Sequence, residues 1–162
     1  MGKARKLTHV NEKSKARMVD VSNKEATLRR AVAACRVEMK PVTLRLILGG
    51  KIGKGDVFQV ARLAGMMAAK QTAALIPLCH QISLTAINVD LEPAGDSSVE
   101  IRAEVVARDV TGVEMEALTA ASVAALTVYD MCKSAERGIV MTDLRLLEKS
   151  GGRSGNYMRG AK

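Results

Sequence analysis

The sequence predicts an α+β fold, an antiparallel sheet with helices packed on it. VEIRAEVVAR (99–108) alternates apolar and polar side chains along its whole length, as a strand with one wet and one buried face does. TAINVDL (85–91) alternates too, and PAGDSS (93–98) between them has the composition of a hairpin loop, so the two strands pair antiparallel. Helical stretches do not alternate strictly with strands, which argues against a doubly wound parallel sheet.

The elements follow in order. Residues 1–16 read as a polar, mobile arm and MVDV (18–21) as a short first strand. Ser22 with Glu25 has the spacing of a capping box, which predicts a helix through Ala34. CRVEM (35–39) reads as a second short strand stopped before Pro41, and VTLRLIL (42–48) as a helix ended by Gly49-Gly50. GGKIGKGD (49–56) is a glycine-rich loop whose Asp56 is placed to cap a helix from Val57 to Leu75. That helix is apolar nearly all round, as an interior helix is, and Pro77 cannot continue it. After the hairpin comes a long helix over 113–136, then a last strand, IVMTDLRLLEK (139–149), and a flexible, basic, glycine-rich tail from 150 to 162.

A chain of 162 residues with 48% apolar and 26% charged residues is one globular domain, 1–162. No apolar run approaches the ~20 residues that span a bilayer. The opening residues carry charge but no apolar run of the secretory type. Cys35, Cys79 and Cys132 are odd in number and widely spaced, which suits reduced thiols in the cytoplasm. The nine methionines read as fillers of a core poor in aromatics. The net charge of +8 is uneven: residues 1–54 hold 14 Lys/Arg against 4 Asp/Glu, and residues 55–162 hold 11 against 13. A positive field of that kind attracts nucleic acid or a phosphorylated small molecule. With only Phe58, Tyr129 and Tyr157 as aromatics, an RNA-binding module has almost no stacking platform.

Four features could carry chemistry. Gly50 and Gly55 have the first spacing of a P-loop, but Asp56 stands where its lysine must be. What remains is a turn with solvated lysines, or an anion site built from backbone N–H groups with Lys51 and Lys54 ahead of a helix N-terminus. His80 follows Cys79, and neighbours in extended chain point apart, so a Cys–His pair is disfavoured. With two histidines and no C-x-x-C or H-x-x-x-H, a metal site is not expected. His80 is then a structural histidine or a loop acid–base group. On the long helix, Asp130 and Lys133 are i,i+3 neighbours that can meet. They form either a surface ion pair or, among Ala, Val, Leu and Met, a partly buried functional pair whose burial pushes both groups toward neutrality while their mutual attraction opposes that shift. Glu116 and Asp130, 14 residues apart, are separated by about 21 Å of helix axis and cannot contact one atom within one chain. KSGGRSG (149–155) is either a frayed end or an element that folds over an anion.

LTHV (7–10), MVDVS (18–22), KGDVF (54–58), LIPLCH (75–80), TGVEMEALTAASVAALTVYDMCK (111–133) and KSGGRSG (149–155) together resemble one family. It is the cyclic pyranopterin monophosphate synthase family, MoaC, of molybdenum-cofactor biosynthesis. The resemblance runs from Leu7 to Gly155. It implies a ferredoxin-like α+β protomer assembled as a hexamer of three dimers, with sites at a dimer interface. It implies a lyase acting on a nucleotide triphosphate, 3′,8-cyclo-7,8-dihydro-GTP, supplied by an upstream radical SAM enzyme. The products would be cyclic pyranopterin monophosphate and pyrophosphate. No cofactor, nucleic acid or membrane is implied. Asp130 and Lys133 match the family's catalytic positions. Leu78, Cys79, His80, Met115 and Glu116 match substrate-binding stretches. Lys54, Glu114 and Lys149 match further site residues, and Arg29 a basic residue given by a neighbouring subunit. Gln81 departs from the proline that many members carry after the histidine. Two other classes compete: the RNA-binding module, and a catalytically silent assembly protein of the same fold, against which the intact Asp130, Lys133, His80 and Lys54 set argues.

Overall fold

The computed structural model describes residues 18–160, so the N-terminal arm expected over 1–16 lies outside the described residues. The first strand, β1 (Thr27–Glu38), is the long centre of the sheet. It pairs antiparallel with β3 (Ser98–Asp109) through all twelve of its residues, and with β4 (Val140–Ser150) on its other side. β2 (Leu84–Pro93) pairs antiparallel with β3, and the two-residue β5 (Tyr157–Met158) with β4. The sheet order is β2-β3-β1-β4-β5. The helices are α1 (Pro41–Leu48), α2 (Val57–Ala69), the single turn α3 (Thr72–Leu75) and α4 (Glu114–Cys132). Setting β5 aside, the order β-α-β-β-α-β with spatial order 2-3-1-4 is the ferredoxin-like arrangement.

Several expected elements are corrected. MVDV is not a strand, and no helix runs from Ser22 to Ala34. Asp20 Oδ1 instead accepts from the Ser22 N–H at 2.9 Å and hydroxyl at 2.6 Å, so Ser22 belongs to a turn. CRVE of that segment is the end of β1, which stops at Glu38, rather than a strand of its own. The reason is that Ala31, Val32, Ala33, Ala34 and Cys35 are all buried. A strand buried on both faces loses the alternation that marks strands, and its Ala, Leu and Arg content then favours a helical reading. The helix expected over 57–75 breaks at Lys70-Gln71, where the Thr72 hydroxyl turns back to the Ala69 carbonyl at 3.0 Å. The long helix ends at Cys132 rather than Glu136. Glu136 folds away to accept from Lys40 N–H at 2.9 Å and Thr43 Oγ1 at 2.6 Å at the start of α1. Nor is the tail loose up to Gly160: β5 holds it against Glu148 and Lys149.

The helices cover one face of the sheet. Ala31, Ala33, Cys35 and Val37 of β1 and Val99, Ile101, Ala103 and Val105 of β3 meet Ala117, Ala120, Ala121, Ala124 and Val128 of α4 in one core. α2 lies against α4, close enough that Gly65 faces the Ala120 carbonyl. Arginine–carboxylate pairs link strands across the sheet: Arg30 to Glu104 and Glu148 at 2.8 Å each, Arg145 to Glu100 at 2.8 Å. Among the described residues no helix is long and apolar enough to cross a membrane.

Candidate active site

Two groups of side chains stand at opposite ends of α4. The first is a charged cluster at its C-terminal end. Lys133 lies one turn past Asp130, and its Nζ stands 2.7 Å from Asp130 Oδ1. Lys54 comes from the glycine loop, which Gly50 and Gly55 bend with φ of 61° and 102°. Its Nζ reaches Asp130 Oδ2 at 2.7 Å and the Asp130 carbonyl at 2.8 Å. Asp56 then opens α2 as expected, its Oδ1 accepting from the Gln59 N–H at 3.1 Å. The expectation that Asp130 and Lys133 are partly buried and drawn toward neutrality is corrected: their side chains are 56% and 52% exposed. Hydrogen bonds from Lys133 and then Lys54 hold the Asp130 carboxyl down at about 2, and Asp130 in turn raises Lys133. Solvent removes the desolvation that would neutralise the pair, so the attraction between opposite charges wins.

The second group lines a cleft of about 760 Å³ at the N-terminal end of α4. Leu78, Cys79 and His80 enter from the loop between α3 and β2, Glu114, Met115 and Glu116 from the first turn of α4, and Arg29 from β1. Lys149 stands beside it, 3.5 Å from Glu114 Oε1 and hydrogen-bonded to the Ser154 hydroxyl. Glu116 is 3% exposed, and among the described residues its Oε2 has no hydrogen-bond partner. Burial lifts its carboxyl to about 7, and Glu114 and Asp109 add to the rise. Burial and then the Glu116 charge raise the Cys79 thiol. His80 Nε2 lies 2.8 Å from the Val19 carbonyl, so the lead-in to β1 is fastened to the loop that carries His80 in the lining of the cleft. Arg29 is 8% exposed, donating from Nε to the Asp109 carbonyl at 3.0 Å and from Nη2 to the Val110 carbonyl at 3.1 Å.

The MoaC family model matches residues 18–152. A Mycobacterium tuberculosis protein named cyclic pyranopterin monophosphate synthase 3 is 58% identical over 153 residues, 94% of this chain and 86% of that one. A Pelotomaculum thermopropionicum protein named cyclic pyranopterin monophosphate synthase is 58% identical over 154 residues, 94% of this chain and 91% of that one. The chain belongs to the MoaC family. The match spans both ends of α4, the glycine loop and the turn up to Gly152, and leaves β5 outside.

In this MoaC-family chain the eleven site residues expected from sequence fall into two sets. Arg29, Leu78, Cys79, His80, Glu114, Met115, Glu116 and the adjacent Lys149 come together, as do Lys54, Asp130 and Lys133, but the structure does not join the sets. Sequence reasoning missed other cleft residues: Val19, Val21, Lys24 and Thr111. Arg153 and Ser154, also in the cleft, belong to the segment read as either a frayed end or an element that folds over an anion. Lys24 is a cation in a segment otherwise read as a helix, and its signal, charge beside a turn, is one that solvated lysines share.

Proposed function

We propose that this chain is a cyclic pyranopterin monophosphate synthase. It would convert 3′,8-cyclo-7,8-dihydro-GTP to cyclic pyranopterin monophosphate and pyrophosphate in molybdenum-cofactor biosynthesis, as a phosphorus–oxygen lyase. The observation that carries this reading is the likeness, at 58% identity over 94% of the chain, to proteins bearing that name. The Lys54–Asp130–Lys133 cluster and the cleft supply residue types that suit the chemistry. Closing a cyclic phosphate breaks a phosphoanhydride bond and leaves charge on the departing pyrophosphate, which cations stabilise without a protein nucleophile. In this reading Arg29 and Lys149, with Lys24 and Arg153, meet phosphate oxygens, which their position in or beside the cleft supports. Leu78, Cys79 and Met115 offer apolar contact to the ring system. Asp130, ionised, orients Lys133, whose ammonium is the proton donor at that end. Glu116, poised at about 7, and His80 exchange protons at the other. In this reading side chains alone carry the reaction, with no resident cofactor.

A ligand that touches both ends of α4 must bridge about 21 Å on one chain, more than a compact substrate spans. A second copy therefore completes each site, in a closed hexamer of three dimers. The exposed Val60, Leu63 and Met67, spaced along one face of α2, support burial of that face against another copy. The three free cysteines suit a reducing cytoplasm, and an upstream radical SAM enzyme would supply the substrate. Incubating the protein with 3′,8-cyclo-7,8-dihydro-GTP and analysing by mass spectrometry should yield the pyranopterin and pyrophosphate. Unchanged substrate would overturn the reading.

A further inference from the structure

We propose that Gly152 is a positioning residue: its missing side chain lets the turn after β4 seat on the Arg29 guanidinium, fixing both that guanidinium and the wall of the cleft. Three chain segments meet here. Arg29 belongs to β1, the Asp109 and Val110 carbonyls that it holds lead from β3 to α4, and Gly152, Arg153 and Ser154 follow β4. Gly151 and Gly152 have φ of 91° and 74°, where a side chain is strained. Space excludes one as well. A β-carbon at Gly152 would overlap Arg29 Nη1 and lie 2.7 Å from its Cζ, and one at Gly151 would overlap the Leu28 carbonyl oxygen. The turn is braced on itself, by Gly155 N–H to the Gly152 carbonyl at 3.2 Å and by Lys149 to the Ser154 hydroxyl across it.

Arg29 cannot step aside freely. The guanidinium is a rigid fork, and its Nε and Nη2 are both committed to carbonyls. Those carbonyls bring no formal negative charge, and among the described residues no carboxylate pairs with Arg29. A cation that is 8% exposed and has no ionic partner in the wall of a cleft is suited to an anionic group of a ligand. Gly152 sets where the remaining edge, Nη1, stands. Its contribution acts through Arg29 and not on the reacting atoms.

The test is a double-mutant cycle on the full chain: Gly152→Ala, Arg29→Met and the double variant, with Arg29→Lys replacing Arg29→Met if the latter does not fold. Affinity for pyrophosphate is read by calorimetry. KM and kcat are read with the cyclo-dihydro-GTP substrate, and this second arm rests on the function proposed above. Gly152→Ala should weaken pyrophosphate and raise KM about tenfold, since small misplacements of binding groups act on that scale. Its kcat should fall less than about threefold, the split expected of lost ground-state binding. With Arg29 replaced, Gly152→Ala should add less than about twofold, because coupled neighbours are not additive. The same factor in both backgrounds would mean that the glycine serves only its positive φ, and would overturn the proposal. So would wild-type affinity in Gly152→Ala, or wild-type protein that ignores pyrophosphate. Wild-type protein that binds pyrophosphate without turning over substrate would sink the proposed function instead, and the calorimetric cycle would still decide the role of Gly152.

Discussion

Lys54 Nζ meets Asp130 twice, at the carboxylate Oδ2 at 2.7 Å and at the main-chain carbonyl at 2.8 Å. The second contact engages a carbonyl in the last turn of α4, a group with no partner inside the helix. It also sets a cation at the negative end of the helix dipole. One lysine thus ties the glycine loop to the end of α4 while sharing the carboxylate with Lys133. That geometry separates what Asp130 does for the fold from what it does for a ligand, because all three side chains are about half exposed.

Asp130→Asn and Lys133→Ala should therefore leave the melting temperature within a few degrees of wild type, since exposed pairs add little stability. Turnover should drop by about 10²–10⁴, the scale of a lost general acid or base. Scanning calorimetry and a product assay on the same preparations check both halves. A large loss of stability with normal turnover of the folded fraction would reverse the assignment.

Glu116 gives stability a pH dependence of known sign. Its folded carboxyl sits at about 7 against an ordinary value of 4.5, so the folded state holds a proton that the unfolded state has lost. Stability from this group is full below 4.5, falls as pH rises through the window up to about 7, and is flat above it. Urea midpoints measured from about pH 5 to pH 8 should show that decline, and Glu116→Gln should remove it.

Glu136 works in the opposite direction and on the fold alone. Burial alone would raise its carboxyl, but bonds from Thr43 and Lys40 outweigh that and hold it below the usual range. Its contribution is present above the ordinary value of 4.5 and is lost as pH falls through the folded one. Glu136→Ala leaves the buried Thr43 hydroxyl and the Lys40 N–H without an acceptor. A loss of about 1–3 kcal/mol in urea unfolding is expected.

Gly65→Ala should destabilise the fold although alanine is the better helix former, by about 1 kcal/mol on propensity. The new β-carbon would lie 2.9 Å from the Ala120 carbonyl and 3.3 Å from both Ala124 Cβ and Val89 Cγ2. Backbone of α4 cannot yield as a side-chain tip can, so overpacking should win by about 1–3 kcal/mol. A urea midpoint at or above wild type would show that α2 and α4 slide apart freely.

Which parts were legible in the sequence follows from how locally each is determined. β2 and β3 show alternation because one face stays wet, and Asp56 reads as a cap because the bond to Gln59 spans three residues. β1 hides, since the contacts that make Ala31–Cys35 a strand lie about seventy residues away on β3 and over a hundred away on β4. The Asp130–Lys133 contact is legible from i,i+3 spacing, but its exposure is not: the apolar residues around it in sequence face the sheet and α2, while the pair points out. Lys54 on Asp130 and Gly152 on Arg29 bring together residues 76 and 123 positions apart, and no spacing rule reaches that far.

The central claim, that the cleft and the Asp130 cluster of different copies serve one ligand, is tested most directly by complementation. Asp130→Asn and His80→Ala proteins, each inactive alone, are co-expressed, purified together and assayed for the pyranopterin product. Random pairing of equal amounts leaves about a quarter of sites with an intact cluster from one chain and an intact cleft from another, so about a quarter of wild-type activity should return. A mixed oligomer no more active than either parent would contradict the account.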